Sequence, residues 1–335
     1  MEKIFILGAG CWGSTLAAIY SKKGFKIYLW EPDELRFNYL IKHRHPKYYN
    51  LVKLSKKINI TNNLKEIQLC NIIMLVIPSI HVRSTLEKIK SINIKNKIFI
   101  SCTKGLEIGT LKTQSQLINE ILSINYDQIL ALSGPSHAEE VALKKPTAVI
   151  LASTNLKLAE KLQKLLSTEF LRIYTNSDII GVEIAASIKN IYAIAAGICD
   201  GLKLGNNAKS ALLTRALKEM LIVGKALGGN PKTFFGLAGL GDLLTTAYSK
   251  FSRNRNFGEY LTIYKNIKKA KQKVKTTIEG LSTLEAIYKF SKKQSIELPI
   301  AEELYKIVYK NKDPYNSIKT LLSRSLKSEF EGYLI

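Results

Sequence analysis

The sequence predicts an α/β Rossmann-like N-terminal domain with an all-α C-terminal domain, and three observations carry that expectation. Short β-branched apolar runs alternate with helical stretches up to about residue 175. From about residue 178 the apolar period lengthens from two toward three and four. Near the start, Gly8-Ala9-Gly10-Cys11-Trp12-Gly13 separates a strand-like run, Lys3 to Leu7, from a helix-like run, Ser14 to Ile19.

That string is a G-x-G-x-x-G turn in its strand–turn–helix context. Gly8 permits the tight turn, Gly10 lets a pyrophosphate approach bare backbone, and Gly13 allows helix to pack closely on strand. The helix N-terminus, with Cys11 and Trp12 in its first turn, then faces the anion. A dinucleotide site is expected here. A second run, Lys26 to Trp30, ends in Glu31, placed to accept hydrogen bonds from the ribose hydroxyls of NAD and to repel a 2′-phosphate.

Further runs follow at Ile72 to Ile77, Ile98 to Cys102, Ile129 to Ser133, Ala148 to Ala152 and Leu171 to Tyr174, read as strands buried on both faces. Pro78 and Gly134-Pro135 end two of them and place Ser79 and Ser136 beyond carboxyl ends of strands, where open parallel sheets bind ligands. In the second half, Ile179 to Leu202, Lys209 to Leu227 and Thr276 to Phe290 read as helices. Gly228-Gly229-Asn230-Pro231 stops one helix and Gly236 to Gly241 breaks the chain again. The expected domains are 1–177, binding the dinucleotide, and 178–335, helical and catalytic, with a cleft between them.

Composition narrows the function classes. The 335 residues are 46% hydrophobic and 23% charged, and no uninterrupted apolar run of about 18 residues suggests a membrane span. Glu2 beside Lys3 and three early glycines argue against a signal peptide. Cys11, Cys70, Cys102 and Cys199 show no metal or disulfide spacing, which suits a cytoplasmic chain without a bound metal. The net charge of +23 raises polyanions as partners, but the lysines are dispersed among abundant Asn, Ile and Tyr, so no nucleic-acid role is expected. Lys265 to Lys273 reads as a solvated helical face or loop, and His43-Arg44-His45 as a solvated segment. A positive field favours a phosphorylated substrate.

Lys189 stands out because it lies in an almost wholly apolar stretch, Ile184 to Gly197. Desolvation disfavours an ammonium, so a lysine buried there is expected to titrate nearer neutrality and to exchange a proton with an alkoxide formed by hydride transfer.

Several ordered motifs carry a resemblance over essentially the full chain. Val182-Glu183 through Asn207, with Lys189-Asn190, Asp200-Gly201 and Asn206-Asn207, resembles the catalytic-helix signature of bacterial-type NAD(P)-dependent sn-glycerol-3-phosphate dehydrogenases. Thr103-Lys104-Gly105-Leu106-Glu107, Gly134 to Glu140, Ala238 to Leu243 and Ser252-Arg253-Asn254-Arg255 are similar to that family's motifs in the same order. The resemblance implies interconversion of dihydroxyacetone phosphate and sn-glycerol 3-phosphate with NAD or NADP, supplying phospholipid synthesis.

It also implies roles for particular residues. Lys189 would be the general acid and base, Asp242 the acid that orients it, and Lys104 a contact to both substrate and cofactor. Ser252, Arg253 and Asn254 would clamp the phosphate, with Arg253 reaching the cofactor too and Arg255 a solvated neighbour. Gly134 and Ser136 would complete the substrate site, while Ala138, Thr277 and Glu279 match cofactor positions and Trp12 would lie along the cofactor. A homodimer is compatible with such helical domains. Three departures are visible: Ala186-Ser187-Ile188 replaces the usual Gly-Ala-Leu, His137 stands where phenylalanine is common, and Glu31-Pro32-Asp33-Glu34 replaces the Arg or His that holds an NADP phosphate. The last predicts a preference for NAD. The competing readings are a related hydroxy-acid dehydrogenase without need of Arg253, and a silent NAD- or polyanion-binding protein.

Overall fold

The computed structural model describes residues 2–274 and 277–331. The chain divides into two compact units, Met1–Lys104 with Lys112–Ile179, and Gly105–Leu111 with Ile180–Ile335. The first is built on eight strands: β1 (Lys3–Leu7), β2 (Lys26–Trp30), β3 (Asn59–Thr61), β4 (Ile72–Leu75), β5 (Ile98–Ser101), β6 (Ile129–Ser133), β7 (Thr147–Ala152) and β8 (Leu171–Asn176). They form one sheet in the order β3-β2-β1-β4-β5-β6-β7-β8. From β3 to β6 all neighbours are parallel. Parallel neighbours need crossovers, so helices alternate with strands: α1 (Cys11–Lys22), α2 (Glu34–His43), α3 (Val82–Ile89), α4 (Gln114–Leu122), α5 (Ala138–Ala142) and α6 (Leu156–Leu166).

The apolar runs form the interior of this sheet. Ile4, Ile6, Leu16, Ile27, Leu29, Ile72 and Met74 share one buried cluster. Three details differ from the sequence expectation. The edge strand β3 has no counterpart among the expected runs, because three residues beginning with Asn59 are too short for an alternating pattern. β7 runs antiparallel to β6, with Ser133 opposite Ile150, since residues 134–146 hold only the five-residue α5 and fold straight back. β8 is not buried on both faces: Leu171 and Ile173 point inward while Arg172 and Tyr174 are exposed, with the guanidinium 5.1 Å from the ring centroid.

The second unit has helices and no strand among its described residues: α7 (Ile179–Gly201), α8 (Gly205–Ala226), α9 (Pro231–Phe234), α10 (Asp242–Tyr248), α11 (Arg253–Tyr264), α12 (Ile267–Val274), α13 (Glu279–Lys293), α14 (Pro299–Lys310) and α15 (Pro314–Leu322). A π-helical turn over Leu237–Gly241 leads into α10. α7 is apolar on nearly all sides and therefore sits at the centre. It is the one helix among the described residues long and apolar enough to cross a membrane, yet 94% of its most apolar window is buried in protein. Helix ends moved by a few residues: α8 starts at Gly205, where φ is +83°, and α13 starts at Glu279. Thr276, the expected start of α13, lies outside the described residues. The lysine-rich stretch is α12, anchored by buried Ala270 beneath its lysines.

One backbone contact fixes the helical site. A Cβ on Gly197 would meet the Arg255 carbonyl at 1.9 Å, and one on Gly258 would meet the Ile194 carbonyl at 2.0 Å. α7 and α11 therefore touch backbone to backbone, which brings the start of α11 beside the middle of α7.

Candidate active site

The carboxyl edge of the parallel strands gathers the sheet unit's candidates. Gly8 has φ +114°, and a Cβ there would meet the Val76 carbonyl at 2.6 Å, so only glycine fits. A Cβ on Gly13 would lie 1.9 Å from the Gly8 carbonyl, which is the close helix-on-strand packing the motif implies. A Cβ on Gly10 would meet nothing within 4 Å. Gly10 also begins α1 with no side-chain cap, so no side chain of its own competes for the backbone N–H groups of the first turn. This cradle fits a dinucleotide pyrophosphate. Cys11 is exposed, and Trp12 is half-buried against the sheet cluster.

Glu31 follows β2 and is 6% exposed. Burial pushes its carboxyl up from the ordinary value, opposed by the Asp33 amide, which donates to Oε1 at 3.1 Å. At the end of β5, the Thr103 hydroxyl donates to the carbonyls of Ile77 (2.8 Å) and Leu75 (3.2 Å), pinning the segment that presents Lys104. Lys104 Nζ donates to the Gly134 carbonyl at 2.9 Å, and the Ser136 hydroxyl donates to the same oxygen at 3.1 Å. Lys104, Gly134 and Ser136 thus form one cluster beyond β5 and β6. Ala138 opens α5, and its carbonyl accepts from Tyr49 Oη at 2.8 Å. Ser79 sits in a 3₁₀ turn after β4.

The helical unit holds the buried charge. Lys189, 4% exposed on α7, donates from Nζ to Asp242 Oδ1 at 2.8 Å and to the Thr246 hydroxyl. Thr246 in turn donates to the Asp242 carbonyl at 2.6 Å. Asp242 is 2% exposed and is the first residue of α10 rather than its cap, a position held by Gly241. A buried ammonium and carboxylate this close form a pair that is costly to break from either side.

Beside it, Ser252 caps α11, its Oγ accepting from the Arg255 amide at 3.2 Å. The Asn254 carboxamide donates to Asn190 Oδ1 at 2.9 Å and accepts from the Gly280 amide at 2.9 Å, which ties α11 to α7 and to the start of α13. Glu279, adjacent to Gly280, is half-buried, and Thr277 is exposed. Arg253 is exposed, and no described residue accepts a hydrogen bond from its guanidinium or pairs with it.

Residues 3–159 match the N-terminal pattern described as NAD-dependent glycerol-3-phosphate dehydrogenase, and residues 178–319 match its C-terminal counterpart. The chain belongs to the NAD-dependent glycerol-3-phosphate dehydrogenase family. A glycerol-3-phosphate dehydrogenase [NAD(P)+] from Thermoanaerobacter sp. (strain X514) is 42% identical, covering 98% of this chain and 99% of that protein. The crystal structure of the glycerol-3-phosphate dehydrogenase from Coxiella burnetii superposes with a TM-score of 0.90 at 36% identity, covering 96% and 99%. That from Plasmodium falciparum gives 0.86 at 25% identity, covering 98% and 96%.

Family membership makes the departures informative. Arg255 is not a solvated neighbour: it pairs with Asp200 at 2.7 Å and Glu259 at 2.6 Å, and Asp200 also binds Lys209 at 2.8 Å. The carboxylate of Asp200 lies within reach of both cations, so Arg255 is spent on structure while Arg253 is not. Ser187, where the family often has alanine, donates back to the Glu183 carbonyl at 2.6 Å and so adds no unmet polar group. His137 occupies the position before α5. Thr246 and Asn190 had no role assigned from sequence, although the four-residue spacing of Asp242 and Thr246 on one helical face was visible. His43 stacks on Tyr39 at 4.2 Å, and among the described residues no three His, Cys, Asp or Glu side chains cluster for a metal.

Proposed function

We propose that this enzyme interconverts dihydroxyacetone phosphate and sn-glycerol 3-phosphate, with Lys189 as the group that moves the proton. Bound NAD or NADP supplies or accepts the hydride at C2. In reduction, Lys189 Nζ gives its proton to the C2 oxygen as negative charge develops there, and in oxidation it takes that proton back. Asp242 and Thr246 hold the amine in one direction, so little reorganisation accompanies the step. The single observation that carries the reading is the buried Lys189–Asp242 pair on α7 and α10.

Arg253 offers the planar fork for the substrate phosphate. Ser252 and Asn254 flank it, the latter with one N–H committed to Asn190 and its second left for a phosphate oxygen. Lys104, Gly134 and Ser136 contact substrate from the sheet unit, where Gly8, Gly10, Cys11, Trp12, Gly13, Glu31 and Ala138 contact the cofactor. Thr277 and Glu279 do so from the helical unit, and Lys104 and Arg253 touch both ligands. Glu31 makes NAD the preferred cofactor, since a buried carboxylate at the ribose opposes a 2′-phosphate. The product feeds phospholipid assembly in the cytoplasm, a compartment that suits a chain with no disulfide among its described residues. The functional assembly in this reading is a homodimer, which sedimentation equilibrium measures.

The test is spectrophotometric. NADH oxidation on adding dihydroxyacetone phosphate is expected, with a higher kcat/KM for NADH than for NADPH. No oxidation with either cofactor would overturn the activity, and an advantage for NADPH would overturn the role of Glu31.

A further inference from the structure

We propose that the sheet unit carries a second ligand site, for an organic anion with an apolar body, in a cavity beside the C-terminal half of α1. The cavity has a volume of about 570 Å³, within the range of small-molecule sites. Its lysine rim lies away from the glycine turn, because Lys22 and Lys23 lie eleven and twelve residues beyond Cys11, roughly 17 Å along the axis at ~1.5 Å per residue.

Its chemistry is divided. Ile19, Val52, Val141 and Phe170 give it an apolar floor, and Leu51 remains 45% exposed at its edge. The rim carries Lys22, Lys23, Lys53 and Lys144, against one acid, Glu169. None of the four lysines has a carboxylate within 4 Å among the described residues, and Lys23 donates to the Ser167 carbonyl. Burial lowers the Lys23 pKa, as expected of an ammonium losing water without gaining a counter-charge.

The wall is fixed before any ligand arrives. The Thr15 hydroxyl at the back bonds the Cys11 carbonyl at 2.8 Å and meets Tyr49 Oη at 2.7 Å. A bare phosphate would satisfy the rim and leave the floor wet, and a neutral apolar molecule would do the reverse. A molecule with both parts matches the whole cavity: a carboxylate or phosphate head at the lysines and a hydrocarbon or aromatic body on the floor.

Calorimetric titration of the full-length enzyme with decanoate, at saturating NADH so that the cofactor site is filled, tests this. One decanoate is expected to bind per chain with a sub-millimolar Kd, with 1-decanol and inorganic phosphate each much weaker. Lys23→Glu combined with Lys144→Glu reverses two exposed rim charges and is expected to weaken decanoate at least about tenfold, with NADH affinity unchanged. The proposal is overturned if decanoate does not bind, if NADH abolishes its binding, if phosphate alone binds as well, or if the double variant binds decanoate as the natural chain does.

Discussion

The two halves of the candidate machinery are made of different material. At the carboxyl edge of the sheet the cofactor cradle is mostly backbone: a left-handed Gly8, a bare Gly10, a pressed Gly13 and the uncapped start of α1. In the helical unit the site is side chains: a lysine and an aspartate under 5% exposed, a hydroxyl bracing both, and an asparagine bonded in two directions. A backbone cradle presents partial charges that need no counter-ion. A buried ammonium needs one, and that need explains why Asp242 is where it is.

The contrast predicts that substitutions in the two regions fail differently. Lys189→Met is expected to lower kcat by roughly 10²–10⁴-fold, while the NADH Kd measured by fluorescence stays within a factor of about three; weakened NADH binding with kcat preserved would move Lys189 out of the chemistry.

Within the cradle, Gly10→Ala and Gly13→Ala should separate ligand space from packing space. Gly13→Ala forces a methyl onto the Gly8 carbonyl and is expected to cost about 1–3 kcal/mol of stability in urea denaturation. Gly10→Ala should fold with an unchanged midpoint and still lose NADH affinity. Equal midpoints for the two variants would refute the assignment.

Arg253→Ala and Arg255→Ala offer a smaller contrast two residues apart. The first is expected to raise KM for dihydroxyacetone phosphate at least about tenfold with an unchanged Tm, as loss of a charge-assisted phosphate contact implies. The second breaks the Asp200 and Glu259 pairs and should appear mainly as a lower Tm.

A further effect is pH-dependent and lies away from the chemistry. Burial lifts the Glu219 carboxyl from 4.5 to about 7, against hydrogen bonds from the Ile300 and Ala301 amides and Tyr192 Oη. Between those two values the folded chain holds this proton more tightly than the unfolded chain. Stability from this group is therefore fully present below pH 4.5 and lost as pH rises through 7, by an amount on the order of 3 kcal/mol. Urea midpoints of the natural chain and Glu219→Gln should diverge in that direction from pH 5 to 8; a constant gap would contradict it.

How much of this was legible in sequence follows the same division. Gly8, Gly10 and Gly13 announce themselves because a backbone site must be written in glycines at fixed spacing, and the buried strands are written in β-branched runs. Lys189 was visible as a charge in an apolar helix. Its partner Asp242, 53 residues away, was legible only through the family resemblance, and Thr246 looks like any helical threonine. Arg253 and Arg255 are indistinguishable as letters; only the position of Asp200, delivered by the glycine contact of α7 with α11, decides which one is paired. The reversal of β7 was hidden because an apolar run does not encode strand direction.

The most direct measurement of the central claim is chemical rescue. Lys189→Ala, with NADH binding verified, should reduce dihydroxyacetone phosphate at a residual rate that rises with added methylamine, as a free amine enters the space and supplies the proton. Turnover within about threefold of the natural enzyme without any amine, well short of the loss expected on removing a general acid, would contradict the account.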